Sequence, residues 1–371
     1  MGKKILITGV TGQDGANMCE FLTRINSGEE EGYDAPEEPH SIFGMIRRTA
    51  TPNFKNCELF KRDENFQFVE GDLTDSVSIT GLVKEIKPDY FINFAANSFV
   101  GVSWKMPEHV FDTNAMGVLR CLEAIKEHAP DCRFYSAGSS EEFGDVDYVP
   151  QDMKHPIKPR SPYGASKAAA RHLVKVYRES YNLYAVHGTL FNHEGTKRGE
   201  EFVTRKITKG VARIYKSIKD KKKFEPIELG NLSPRRDWSD SEDFVKGVWL
   251  MLNQSKPKDY VLSSNETHSI EEFVEKAFTK AGILGEWSHV EESIDGHYVR
   301  IPQQTKYVDR TTKENYVTIN EKFYRPAEVN LLLGDSTPIR EELGWKPNNS
   351  FDRLVEKMVK HDIDEEMQRK N

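Results

Sequence analysis

Cysteine is scarce and scattered in this chain. Its four residues, Cys19, Cys57, Cys121 and Cys132, form no CxxC pair and have no histidines at zinc-finger spacing. That excludes a disulfide framework and predicts no metal, in a reducing, cytoplasmic compartment. Long apolar runs are also missing. No stretch approaches eighteen residues, so no membrane span is expected. The N-terminus, MGKKILIT, enters an apolar strand directly, with no signal-peptide pattern. Leu6 stands where a myristoylation signal needs a hydroxyl. Positive charge is in deficit: the net charge of −7 argues against a nucleic-acid partner. Glycine (25) and proline (17) are near average, which excludes collagen-like and low-complexity chains. What is present, 37% hydrophobic residues in 371, is enough to build a sizeable core.

Apolar runs alternate with helical patterns through the first half. Lys4–Thr8, Ser41–Ile46, Gln67–Val69, Tyr90–Phe94 and Arg133–Ser136 read as strands, Gly15–Ile25 and Pro162–Tyr181 as helices, and Leu183–Leu190 as extended. This alternation predicts an α/β fold, a Rossmann-type doubly wound parallel sheet. After about residue 195 it fades into helices (Glu201–Lys216, Ser239–Asn253, Ser269–Ala281, Phe351–Met367) and short strands (Tyr260–Ser263, Tyr307–Asp309, Tyr316–Ile319). Residues 1–195 are expected to form the domain built on this sheet, with part of 225–265 returning to it. Residues 196–371 would be mainly a smaller α/β lobe. Ser27–His40, with six carboxylates, reads as a solvated surface insertion.

Gly9, Gly12 and Gly15 follow the first strand at GxxGxxG spacing and open a helix. This is the pattern of a dinucleotide phosphate loop. The second strand ends on Arg47 and Arg48, where an acidic residue would favour NAD. Two guanidiniums suit a 2′-phosphate and point to NADP. Arg48 could instead be a surface charge or an intersubunit contact. Asp72, after the third strand, could accept from the adenine amino group. Helix capping belongs more naturally to Thr74 or Asp75.

Tyr163 and Lys167 form YxxxK on one helix face. The lysine, with a positive nicotinamide ring, would lower the tyrosine pKa and make a base of it. Ser139 and Glu141 follow a strand end and would project into the cleft. The hydroxyl could share a hydrogen bond with a reacting alcohol, and the carboxylate could remove a proton next to a ketone. Glu142 is either a second acid or, by preference, a solvated neighbour.

With these residues in hand, the chain resembles the extended short-chain dehydrogenases/reductases, and among them the GDP-mannose 4,6-dehydratase family. The shared segments run over nearly the whole length: GVTGQDG, IRRT, GDLTD, FAANS, SSE, PRSPYGASK, LFNHEGTKRG, FVTRKI, GNLSPRRDW, FYRPAEV and LGD. The resemblance implies dehydration of a GDP-sugar by internal hydride transfer through NADP. Tyr163, Lys167, Ser139 and Glu141 would be catalytic. Gln13, Asp14, Leu73, Ala95, Ser98, His193 and Arg198 would join the cofactor set. Asn192, Lys206 and Arg236 would contact the sugar diphosphate, and Arg325 with Glu328 the ribose. Ser139 stands where the family usually has threonine, and Phe99 where it has a polar residue. The latter keeps a GDP-manno-heptose open as substrate. An epimerase, a reductase or a non-catalytic NADP-binding regulator are the competing readings. The segment containing Arg48 implies a homo-tetramer, with a dimer as runner-up built on the helices Val110–Ala124 and Pro162–Tyr181.

Overall fold

Ile5, Leu6 and Ile7 are all buried, side chains on both faces of their strand alike. A strand hidden on both faces belongs at the centre of a parallel sheet covered by helices. The computed structural model describes residues 2–294, 297–324 and 329–369 and bears this out.

In chain order the first half comprises β1 (Lys4–Thr8), α1 (Gln13–Ser27), β2 (Ser41–Ile46), β3 (Phe66–Glu70), α2 (Ser76–Ile86), β4 (Tyr90–Asn93), α3 (Val100–Ser103), α4 (Pro107–Phe111), α5 (Gly117–His128), β5 (Arg133–Ala137), α6 (Pro162–Tyr181) and β6 (Ala185–Leu190). Then come β7 (Asn192–Glu194), α7 (Val203–Lys219), β8 (Ile227–Leu229), β9 (Arg235–Arg236), β10 (Trp238–Asp240), α8 (Ser241–Leu252), β11 (Tyr260–Leu262), β12 (His268–Ser269) and α9 (Ile270–Lys280). Finally there are β13 (Gly285–Ser288), β14 (Glu291–Ile294), β15 (His297–Arg300), β16 (Lys306–Asp309), β17 (Asn315–Ile319), α10 (Thr337–Leu343) and α11 (Phe351–Gln368).

Seven parallel strands form the main sheet in the order β11-β6-β5-β4-β1-β2-β3. The order reverses between β1 and β4. In open α/β sheets, ligands bind beyond the strand ends at such a point. Phe21, Leu22, Val248 and Met251, from α1 and α8, help fill one face. Val83, Leu122 and Val174, from α2, α5 and α6, help fill the other. The second core lies between α7, α9, α11 and the four-stranded sheet β13-β16-β17-β8. A buried ion pair pins it: Arg205 Nε donates to both carboxylate oxygens of Asp362 at 3.0 Å, 157 residues away. Among the described residues no helix is long and apolar enough to cross a membrane.

Two local expectations change. The helix expected over Val110–Ala124 is longer and interrupted, because a π turn at Asp112–Met116 joins α4 to α5. The acidic segment 27–40 is the mostly exposed surface insertion expected, but it is anchored to the core at one point. Glu30 is buried and pairs with Arg24 (2.7 Å) and Lys246 (2.5 Å), and Tyr33 packs edge-on against Phe21. Two cations make burial of that carboxylate affordable, and nothing in the local sequence announces Lys246.

Candidate active site

The ends of β1 and β4 are bound together. Thr8 Oγ1 donates to Asn93 Oδ1 (2.7 Å) and accepts from the Ala95 N–H (3.0 Å). The glycines that follow are dictated by space. Gly9 sits at φ +73°, and a Cβ on Gly15 would stand 2.3 Å from the Gly9 carbonyl oxygen. No side chain caps α1, so its first N–H groups face the cleft with the partial positive charge of the helix end. This cradle fits a dinucleotide pyrophosphate.

The cleft holds about 1180 Å³. It is lined by Gly9, Gly12, Gln13, Asp14, Gly15, Arg47, Asp72, Leu73, Ala95 and Ser98 on this side. Arg48 stands apart, its side chain 86% exposed and 3.8 Å from Glu70. The Asp72 carboxylate holds the Thr74 N–H and hydroxyl, while Asp75 caps α2.

His193, on β7, lines the cleft next to the glycine cradle. Its Nε2 meets the Asp14 carboxylate at 2.8 Å, and its ring stacks on Phe244. Arg198 pairs with Glu194 at 3.0 Å and lies 3.5 Å over the Phe202 ring. Phe99 meets Phe202 edge-on, so the position where the family has a polar residue is part of an aromatic wall.

At the floor, Ser161 caps α6 by accepting the Gly164 N–H (3.0 Å), and Pro162 occupies the first turn. Tyr163 therefore enters the cleft from a fixed helix end. Burial pushes its phenol up to about 12, opposed by a hydrogen bond with Ser139 and reinforced by the carboxylate of Glu141. That direction is opposite to the one the YxxxK spacing suggests, because burial outweighs the Ser139 hydrogen bond and the Arg198 charge that favour the phenolate. Burial also pulls Lys167 down to about 8. Its Nζ donates to the Ala137 carbonyl (2.7 Å) and lies 5.9 Å from the Tyr163 ring centroid. Ser139 and Glu141 line the same cleft.

Two neighbours of the site escaped the sequence reading. Glu142 is no solvated neighbour: it is fully buried against His187 (2.9 Å) and Arg171 (3.7 Å). Asn114, delivered by the π turn, accepts from the Asn97 N–H (2.8 Å) and donates to Ser166 Oγ (3.0 Å), which ties the β4 end to α6. Only the fold brings these partners together, and no local signal marks them.

Asn192, Lys206 and Arg236, which the resemblance implies for the sugar diphosphate, line the same cleft. The Asn192 side-chain oxygen is buried without a hydrogen-bond partner, as expected of a group that meets a ligand. Lys206 lies 3.4 Å over the Phe323 ring, and burial lowers its pKa. Arg236 is buried. Arg325 and Glu328 lie outside the described residues. His361, Asp362 and Glu365 cluster on α11 in a way that could hold a cation, but Arg205, Lys209 and Lys55 already pair with the two carboxylates.

Known proteins are similar to this chain in sequence and in fold. A family model described as GDP-mannose 4,6 dehydratase matches residues 6–358. The GDP-mannose 4,6 dehydratase of Homo sapiens is 39% identical over 367 residues, 97% of this chain and 91% of that one. That of Drosophila melanogaster is 40% identical over 382 residues, 100% of this chain and 88% of that one. Among solved structures, the dTDP-glucose 4,6-dehydratase of Bacillus anthracis in complex with NAD superposes with a TM-score of 0.72 at 19% identity, covering 99% of this chain and 98% of that one. With the family model spanning almost the whole sequence and relatives this similar over nearly their full length, the chain belongs to the GDP-mannose 4,6-dehydratase family.

Proposed function

We propose that the chain converts GDP-D-mannose to GDP-4-dehydro-6-deoxy-D-mannose and water. The observation that carries this reading is the meeting of Ser139, Glu141, Tyr163 and Lys167 in one cleft with the glycine cradle. The Tyr163 oxygen takes the C4 hydroxyl proton while Ser139 shares that hydrogen bond. A nicotinamide dinucleotide held in the cradle of Gly9, Gly12 and Gly15 would supply the redox chemistry, as hydride acceptor from C4 and hydride donor to C6. The 4-ketone acidifies C5. Glu141 removes the C5 proton and passes it to the departing C6 hydroxyl, so water leaves. Tyr163 then returns its proton to C5, and every group ends as it began.

The cofactor is NADP on this reading, because Arg47 reaches the cleft from the end of β2. Asn192, Lys206 and Arg236 would hold the diphosphate, and Arg325 with Glu328 the ribose. Residues 1–195, joined by α8 and β11, act as the cofactor domain, and the remainder mainly holds the GDP-sugar. The protein works in the cytoplasm as a homo-tetramer, with a dimer as the runner-up. Phe99 keeps a GDP-manno-heptose as the second substrate reading, since an aromatic wall changes what the sugar meets. An epimerase has no use for Glu141.

Incubation with a panel of GDP-sugars and NADP, followed by mass spectrometry, tests the proposal. GDP-mannose should lose one water. Unchanged masses across the panel would overturn it, and loss only from the heptose would move the substrate.

A further inference from the structure

Three ionisable side chains meet behind the catalytic floor, from the 3-10 turn 140–142, α6 and β6. Glu142 and His187 are fully buried, and Arg171 nearly so. A carboxylate this deep is costly unless paired. One oxygen, Oε1, accepts both the Ser139 N–H (2.8 Å) and His187 Nε2 (2.9 Å). Gly138 makes room for the contact: a Cβ there would lie 2.7 Å from Oε1 and 2.2 Å from His187 Nε2. Ser139 in turn accepts the Glu141 N–H on its hydroxyl (3.2 Å). The buried carboxylate thus holds the backbone from which both Ser139 and Glu141 depart.

We infer that Glu142 is a positioning residue for the dehydration: held by His187 and Arg171, its buried carboxylate fixes the turn from which Ser139 and Glu141 enter the cleft. The inference rests on the function proposed above. The groups facing Glu142 are His187 on β6, Tyr135 on β5, and Tyr163, Lys167 and Arg171 on α6. Burial drives Lys167 toward the neutral amine. Glu142 opposes this, as does Asp14 on α1. The same charge disfavours the Tyr163 phenolate. Removing it must therefore lower the proton affinity of both Lys167 and Tyr163.

Glu142→Gln separates charge from shape, because the amide oxygen can still accept from Ser139 and His187. Both limbs of its kcat/KM pH profile should move to lower pH by roughly half a unit or more. Glu142→Asp keeps the charge and should leave the limbs where they are. Glu142→Leu loses the anchor as well and should lower kcat by roughly tenfold or more. In the ligand-free protein, competitive acetylation of Lys167 read by peptide mass spectrometry should show a lower titration midpoint in Glu142→Gln. Superimposable profiles and midpoints would overturn the inference, as would a uniform rate loss with unmoved limbs. A wild type that dehydrates no GDP-sugar would sink the proposed function, while the Lys167 midpoint would still decide this one.

Discussion

The carboxylate of Asp14 and Nε2 of His193 meet at 2.8 Å across 179 residues of sequence, joining the first turn of α1 to β7. Burial opposes the charge on His193, but Asp14 outweighs it and raises the imidazole pKa. Burial opposes the charge on Asp14 too, and His193 with Arg198 outweighs it and lowers the carboxyl. The raised histidine contributes stability that is full below its ordinary value, about 6.5, and is lost as pH rises through the folded value. The lowered aspartate contributes stability that is full above its ordinary value, about 3.9, and is lost as pH falls through the folded value. His193→Ala should therefore lower Tm most near pH ~5.5 and least near pH ~9. A Tm difference that does not change with pH would refute the ion pair as its source.

Cofactor choice should depend on Arg47. A hydrogen bond to a charged group is worth about 1.5–3 kcal/mol, so Arg47→Ala should weaken NADP about 10–100-fold. NAD affinity should barely change, and Arg48→Ala should have the smaller effect because that side chain stands in solvent. Fluorescence titration with both dinucleotides measures this. Equal losses for the two would exclude a 2′-phosphate contact.

The half-reactions should come apart by mutation. Tyr163→Phe and Glu141→Gln should each cost roughly 10²–10⁴-fold in turnover. Tyr163→Phe should neither reduce bound NADP nor release water. Glu141→Gln should still oxidise C4, so near-ultraviolet absorbance of reduced cofactor accumulates, with no exchange of the C5 proton into deuterated solvent. Exchange at the wild-type rate would remove Glu141 as the base.

Gly15→Ala forces a methyl group to within 2.3 Å of a backbone oxygen. Overpacking of this kind costs about 1–3 kcal/mol, and here it also widens the phosphate loop. Thermal denaturation should show the loss of stability, and cofactor titration a larger loss of affinity. An unperturbed Tm would mean that the loop yields without strain.

Assembly should bury the apolar side chains that α6 and its neighbour leave exposed, such as Val176, Tyr181 and Phe111. Light scattering at micromolar concentration should give a tetramer, or else a dimer. Val176→Glu should shift the protein toward smaller species. A wild-type monomer would count against both assemblies.

The sequence carried the sheet well, because parallel strands buried on both faces are short unbroken apolar runs. It also carried Pro162–Tyr181 to the residue, since Ser161 and Pro162 mark the start. Signals that are purely local could go no further. A π turn inserts one residue without altering composition, so Asn114 and its bridge to α6 stayed hidden. Glu142 looks like any exposed glutamate beside Glu141 until His187, 45 residues on, is brought against it. Glu30 is read the same way until Lys246 arrives from α8. Buried charges are legible only in pairs, and these pairs are made by the fold.

The Arg205–Asp362 pair has a consequence for the order in which the protein is made. The two residues are separated by 157 positions. At roughly 5–20 residues per second, Arg205 is synthesised about 8–30 s before its partner. The parallel sheet acquires its last strand, β11, at Leu262 and can close well before that. The lobe built on α7 cannot, since its guanidinium must stay hydrated until α11 has emerged. Nascent chains stalled after residue 300 should therefore show a protease-resistant N-terminal part and a digestible region around α7. Equal resistance of both at that length would argue against sequential maturation.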